Sequence, residues 1–249
     1  MKRCLRIFSV FAACAIVLTA CGGAEKATER PLTSDEASVL AEVLSRNYEA
    51  QGASFSLAAQ ASSTGGTITL EGDVDWINHQ GGARVVGGAS PHPVSQVWWS
   101  KNVVAERRPT LDSEVARVLP GAGSPLLARS PDTSSRRLDQ LIAIVMGLAS
   151  QTPENAQLIL QTEGSAFIRS DELRGKPVLV LRYGQRTLYW LDEETKNLMR
   201  FEGTDSTTRF PVVIDFFVLG PKALQVPQGT ELVDLAKYNE LLNRIPVSP

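Results

Sequence analysis

Residues 68–76 read Ile68-Thr69-Leu70-Glu71-Gly72-Asp73-Val74-Asp75-Trp76. Ile68, Leu70, Val74 and Trp76, with Gly72 keeping the phase, alternate with Thr69, Glu71, Asp73 and Asp75, so one face of the segment is apolar and the other carries charge. A period of two with one wet face predicts an antiparallel strand laid over a core. Upstream, Phe55, Leu57, Ala59 and Ala61 repeat the pattern, and Ser62-Ser63-Thr64-Gly65-Gly66 between the two runs supplies turn residues able to take positive φ. Downstream, Asn78-His79-Gln80-Gly81-Gly82 reads as the next turn. Residues 83–87, 94–100 and 103–107 then continue the meander, with Lys101-Asn102 as a tight turn between the last two.

Ahead of these strands, Thr33 and Glu36 have capping-box spacing, and Val39, Leu40, Val43, Leu44 and Tyr48 fall on one helical stripe before Gly52. Residues 109–137 break the pattern with Pro109, Pro120, Pro125 and Pro131. This stretch reads as a long connection with a short helix around 113–119, a lid or linker at the mouth of the fold. Leu138, Leu141, Ile142, Val145 and Leu148 make a second helical stripe, and a short helix is expected from Thr152-Pro153 to Leu160, with proline at its first position. Strands resume over 165–169, 178–183, 187–192, 198–203 and 209–219, and a last helix is expected over 230–244. The fold class is α+β: a curled antiparallel sheet, a half-open β-barrel of about ten strands, covered by three or more helices.

The chain has 249 residues, 43% apolar and 21% charged, enough for one large or two small globular bodies. Its 25 basic residues are offset by 27 acidic ones, which argues against nucleic acid as a partner. Lys2, Arg3 and Arg6 precede an uncharged run from Ile7 to Ala20, the order of a signal peptide. As a helix that run would rise about 21 Å, too short for a hydrocarbon core of roughly 30 Å. It ends in Leu18-Thr19-Ala20-Cys21-Gly22, which resembles the lipobox of bacterial lipoproteins. The resemblance implies cleavage after Ala20, a diacylglyceryl group on the Cys21 thiol and an acylated, palmitate-bearing N-terminus. The alternative is an ordinary signal peptide that contains a cysteine.

Cleavage would remove Cys4 and Cys14, leave Cys21 alone, and take the formal charge from −2 to −5 over 229 residues. The expected organisation is a signal peptide at 1–20, a flexible tether at 21–31 (GGAEKATERP after Cys21) and a single domain at 32–249. The protein is placed on the extracytoplasmic side of the cell membrane, held there by its lipid.

Asp171-Glu172-Leu173-Arg174-Gly175-Lys176-Pro177-Val178, then Thr187-Leu188-Tyr189-Trp190-Leu191-Asp192-Glu193-Glu194-Thr195 and Leu198-Met199-Arg200-Phe201, make a strand ending in aromatic-apolar-Asp, an acidic turn and a return strand. This resembles the second half of actinobacterial envelope lipoproteins of the LppX/LprG group, within the wider superfamily of the carriers LolA and LolB and the sensor RseB. The order of elements agrees over roughly residues 33–245. The resemblance implies a half-barrel with helices over it, enclosing an apolar cavity for acyl chains; no individual binding residue is carried over. Independently of it, Asp192 and Thr195 are suited to cap the turn between the last two runs.

The inward phase of the strands nominates Phe55, Leu57, Leu70, Val74, Trp76, Val97, Trp99, Leu179, Leu181 and Phe216 as the cavity lining, and equally as an ordinary packed core. Burial of an acyl chain is favourable by about 0.8 kcal/mol per methylene, so such a cavity needs no catalytic group to hold lipid. Catalytic signals are poor. His79 lies in a turn, His92 lies between Pro91 and Pro93, no G-x-S-x-G elbow occurs, and Gly121-Ala122-Gly123 lacks the strand and third glycine of a dinucleotide loop.

Glu71, Asp73 and Asp75 share a face, either a calcium site or a solvated strand face. Arg107-Arg108 and Arg136-Arg137 would grip lipid headgroups or simply solvate loop ends. Trp98-Trp99 places one indole on each face of its strand, so one is exposed or covered by a lid, a partner or the membrane interface. The expectation is a non-enzymatic protein without cofactor or metal that holds a lipid or lipoglycan for transport or presentation. The alternative is an RseB-like sensor or adaptor that binds an envelope protein.

Overall fold

The structure is a computed structural model and describes residues 29–88, 94–108, 126–205, 209–227 and 232–244. The expected signal peptide, Cys21, His92, the Gly121–Gly123 segment and the short helix at 113–119 lie outside the described residues. In chain order the strands are β1 (Arg30–Pro31), β2 (Gly52–Ser62), β3 (Gly65–Asp75), β4 (Gln80–Gly87), β5 (Gln96–Trp99), β6 (Val104–Arg107), β7 (Leu126–Arg129), β8 (Ala166–Leu173), β9 (Lys176–Tyr183), β10 (Thr187–Asp192), β11 (Leu198–Thr204), β12 (Pro211–Leu219) and β13 (Leu232–Asp234). The described helices are α1 (Ser34–Glu49), α2 (Arg137–Met146), α3 (Ala156–Gln161) and α4 (Leu235–Asn243).

All thirteen strands belong to one open sheet, in the order β1-β8-β9-β10-β11-β12-β2-β3-β4-β5-β6-β7-β13. Two meanders, β2–β7 and β8–β12, are joined edge to edge where β12 pairs with β2. Leu57 lies opposite Leu70 and Ala59 opposite Ile68, the register that puts both alternating runs on one face. That face is concave. Phe55 on β2 and Trp99 on β5 lie three strand spacings apart, about 14 Å in a flat sheet, yet their ring centroids are 6.4 Å apart. Twist and curl of a wide sheet close that gap.

Helix α1 starts at the expected capping box: Thr33 Oγ1 accepts from Glu36 N at 3.2 Å, and Glu36 Oε2 accepts from Thr33 N at 2.9 Å. Helix α2 lies on the concave face, where Trp76 Nε1 donates to the Val145 carbonyl at 3.1 Å and Trp99 Nε1 to Met146 Sδ at 3.3 Å. Asn47 on α1 donates to the Leu148 carbonyl at 2.7 Å, tying the helical layer together.

The expectations need several corrections. Among the described residues the strands number thirteen, not about ten, and the sheet is mixed because β13 runs parallel to β7. Strand β7 falls inside the stretch read as patternless connection, and β13 inside the expected last helix, which begins only at Leu235. Each strand is too short to show a period of its own and exists through its partner. Helix α3 starts at Ala156, with Asn155 Oδ1 accepting from Gln157 N at 2.9 Å, so Pro153 lies ahead of the helix. Gly81 and Gly82 are strand residues of β4; the turn before them bends at His79, which itself takes φ +51°. Arg30 and Pro31, the end of the stretch read as tether, are docked: they pair with Phe167 and Ala166, and the Arg30 guanidinium sits 4.2 Å from the Phe167 ring centroid.

The hairpin that carries the family resemblance is built as expected. Asp192 Oδ1 accepts from Glu194 N at 3.0 Å and Thr195 N at 2.9 Å. The Thr195 amide bond and Lys176 hold the Asp192 carboxyl below its usual range against the opposing effect of burial. Replacing Asp192 with Ala frees two turn amides that water reaches only in part, and is expected to cost about 1–2 kcal/mol in urea unfolding. Asn, which keeps one acceptor oxygen, should recover at least half of that.

Candidate functional site

The ten residues nominated from the strand phase all belong to one contiguous apolar cluster between the concave face and the helices. Nine are buried, and Leu179 is partly buried against the cluster. Their contacts are with one another: Trp76 and Phe216 ring centroids are 6.0 Å apart, and Phe55 meets Trp99 edge to face. Two also reach cavity walls. Trp99 lines a 240 Å³ apolar recess with Val104, Ile142 and Met146 on one flank of α2. Phe216 lines a 390 Å³ depression with Arg174, Lys176 and Phe217.

A third cavity, of about 300 Å³, opens where β2, β3 and β4 end beside β6, β7 and the start of α2. Its apolar wall is Ala61, Ile68, Val85, Val94 and Leu138, and its polar rim is Glu106, Arg108, Arg129, Arg136 and Arg137. The wall continues the inward phase of the strands: Ala61, Ile68 and Val85 are buried with the core cluster. The rim follows from pairing. Glu106 shares the inward phase of β6 with Val104, and the β6–β7 register sets Val104 opposite Arg129.

Arg129 lies between two carboxylates. It donates to Glu106 through Nε at 2.9 Å and Nη2 at 2.5 Å, and to Asp139 on α2 through Nη1 at 2.5 Å and Nη2 at 2.6 Å. Side-chain exposure is 8% for Arg129, 3% for Glu106 and 1% for Asp139, so a buried ion triad ties β6 and β7 to α2. Arg108 adds a second cation to Glu106 at 2.9 Å. Burial pushes the Glu106 carboxyl up, but Arg129 and Arg108 together outweigh it and hold the group below its usual range. Arg137 donates to the Gln60 carbonyl at 3.1 Å, pairs with Asp205 at 3.0 Å and sits 5.5 Å from the Phe210 ring centroid. Asp132 binds the amides of Ser134 and Ser135 in the turn leading to α2, and their hydroxyls and amides hold its carboxyl far below the usual range.

The paired arginines are therefore not simply solvated loop ends, a correction at Arg108 and Arg137. Asp75 is also not part of a solvated acidic face: it is buried and accepts from Asn78 N at 2.9 Å and Asn78 Nδ2 at 2.7 Å. Its neighbour Asp73 accepts from Ser54 Oγ at 2.5 Å and pairs with Lys222 at 3.6 Å. Among the described residues no group of three or more His, Cys, Asp and Glu could hold a metal ion, and no helix is long and apolar enough to cross a membrane. Trp99 is buried inward, while Trp98 is half-buried on the opposite face, as the alternation requires.

The sequence reading missed the ion triad. One signal was available, an acid in the inward phase of a strand, at Glu106. It also missed a small second core on the convex face, where Val178, Val180 and Trp190 pack under Arg169 and Arg200, whose guanidinium carbons lie 5.0 Å and 5.5 Å from the Trp190 ring.

No protein-family model and no curated protein sequence matches the chain. Among solved structures it is similar to the MucA/MucB complex of Pseudomonas aeruginosa, at 14% identity and TM-score 0.34, over 80% of this chain and 61% of that one. It is also similar to an uncharacterized conserved protein from Thermus thermophilus, at 7% identity and TM-score 0.38, over 79% of this chain and 96% of the other. A third is a putative outer membrane lipoprotein-sorting protein domain from Vibrio parahaemolyticus, at 8% identity and TM-score 0.31, over 84% and 99%. The chain thus spans about three fifths of the length of the chain it matches in the MucA/MucB structure. Likenesses this remote do not bear on what the chain binds.

Proposed function

We propose that the protein is a non-enzymatic envelope lipoprotein, anchored through Cys21 and folded as a single body over 32–249, that holds an amphiphile in the 300 Å³ cleft beside α2 for transport or presentation. The observation that carries this reading is the make-up of the cleft, an apolar wall from β2, β3, β4 and α2 under an arginine-rich rim. An amphiphile presents those two surfaces in the same order. The volume lies at the small end of ligand sites, which run from about 300 to 1,000 Å³, and suits one chain better than two. The ten inward residues nominated from sequence belong to the same apolar cluster as its wall residues Ala61, Ile68, Val85 and Leu138, and none of the ten lines the cleft itself. The family reading, LppX/LprG-like within the LolA/LolB/RseB superfamily, rests on the hairpin between Asp171 and Phe201.

Native mass spectrometry and solvent extraction of the full chain purified from its own membranes test the proposal. A co-purifying amphiphile at near one per chain is expected. Protein that is free of lipid and takes up none on incubation with lipids of its host would overturn it.

A second reading, an adaptor for an envelope protein, has its own observation: Phe217 and Val218 are 57% and 59% exposed side by side on β12, with the Arg174 guanidinium 4.7 Å from the Phe217 ring. Crosslinking from position 217 in cells would then trap one stoichiometric partner.

A further inference from the structure

The rim of the 300 Å³ cleft carries four guanidinium groups, and three of them are committed. Arg129 bridges Glu106 and Asp139, Arg108 pairs with Glu106, and Arg137 pairs with Asp205. The fourth, Arg136, is half-buried and makes no ion pair among the described residues. A fourth carboxylate, Asp132, is taken up by the amides and hydroxyls of Ser134 and Ser135, which leaves the Arg136 guanidinium as the unpaired charge on the rim.

The position of Arg136 strengthens that charge. It is the N-cap residue of α2, the cap makes no side-chain hydrogen bond, and the positive end of the helix dipole lies at the same place. Beyond Arg136, Leu138 and the buried Ile68 and Val85 offer only apolar surface.

On the reading that the cleft holds an amphiphile, we propose that it selects one acyl chain with an anionic head, with the head's oxygens on Arg136 and the chain along Ile68, Val85 and Leu138. A guanidinium binds carboxylate or phosphodiester oxygens through charge-assisted hydrogen bonds. A neutral head leaves that bond unmade. A zwitterionic head brings a cation to a rim already crowded with arginines. Discrimination therefore comes from repulsion as well as attraction. The ligand chemistry has two natural sources, free fatty acid and membrane phosphodiester lipid, and both present one anionic charge beside a chain.

The test uses the delipidated full chain kept soluble in amphipol and loaded with N-phenylnaphthylamine, a neutral apolar fluorophore. Four lipids with the same lauroyl chain compete for it: laurate, lauroyl lysophosphatidylglycerol, lauroyl lysophosphatidylcholine and monolauroylglycerol. The two anions should displace the probe at concentrations about tenfold lower than the other two, a difference of about 1.4 kcal/mol. Laurate ahead of lysophosphatidylglycerol would identify the carboxylate source, and the reverse order the phospholipid source. In Arg136→Gln the preference should shrink to about threefold or less, while Arg186→Gln, at an exposed turn on another part of the sheet, should keep it in full. Near-ultraviolet circular dichroism of the buried tryptophans confirms that each variant is folded.

Equal displacement by all four lipids, or an unchanged preference in Arg136→Gln, would overturn the headgroup assignment and leave the amphiphile reading standing. Failure of any lipid to displace the probe would overturn both.

Discussion

Arg129→Ala is expected to lose about 3–5 kcal/mol of stability, because it strands two carboxylates in the interior. Glu106 and Asp139 are each 2% exposed, and Arg129 touches both. Removing it leaves Glu106 with Arg108 alone, and Asp139 with the Asp132 amide at 2.6 Å. Lys at this position keeps the charge but not the fork, and should recover only part of the loss. Urea unfolding measures this as a lower midpoint at an unchanged slope. A loss below about 1 kcal/mol would mean that water reaches both acids and that the triad does not tie β7 to α2.

The pH dependence has a definite sign. The folded-state pKa of Glu106 is depressed below 4.5, so its contribution is present above that value and is lost as pH falls through the depressed one. Arg129 supplies part of that depression, so the stability it accounts for is present above 4.5 and lost below it. The stability gap between wild type and Arg129→Ala should therefore narrow as pH falls from 4.5 through the depressed value.

What could be read from sequence was whatever a single segment states about itself. The alternation in β2 and β3, the Thr33–Glu36 box and the Asp192 turn each depend on residues within a few positions of one another, and each is built as expected. Strand β7 could not be read this way. Leu126-Leu127-Ala128-Arg129 is four residues long between Pro125 and Pro131, and its identity comes from β6 on one side and β13 on the other. The cleft was illegible for the same reason. Arg108, Arg129 and Arg136 look like loop-end cations until the β6–β7 register and α2 bring them to one rim. The apolar wall was partly legible, since Ala61 and Ile68 belong to the phase that defines the concave face.

Gly81 and Gly82 look like turn residues in the sequence but stand in β4, and packing at Gly81 gives the second large effect. Gly81 lies opposite Trp99, and a methyl group on Gly81 would overlap the six-membered ring of that indole. Both backbones are pinned by ladder hydrogen bonds, so the indole has to move. Gly81→Ala is expected to cost about 2–3 kcal/mol by overpacking, and Trp99→Ala about 3–5 kcal/mol by leaving a cavity. The two should not add. Once the indole is gone, the alanine at 81 meets empty space, and its further cost should fall below about 1 kcal/mol, a coupling of more than about 1 kcal/mol in a double-mutant cycle. Strict additivity would mean that Gly81 serves the backbone rather than the ring. Trp99 also bonds Met146 and lines the recess beside Ile142 and Met146 of α2, so its loss should loosen the helix that presents Arg136. Trp99→Ala should therefore weaken the preference for anionic lauroyl lipids although residue 99 lines no part of the 300 Å³ cleft, whereas Asp192→Ala, at a turn remote from α2, should leave it intact.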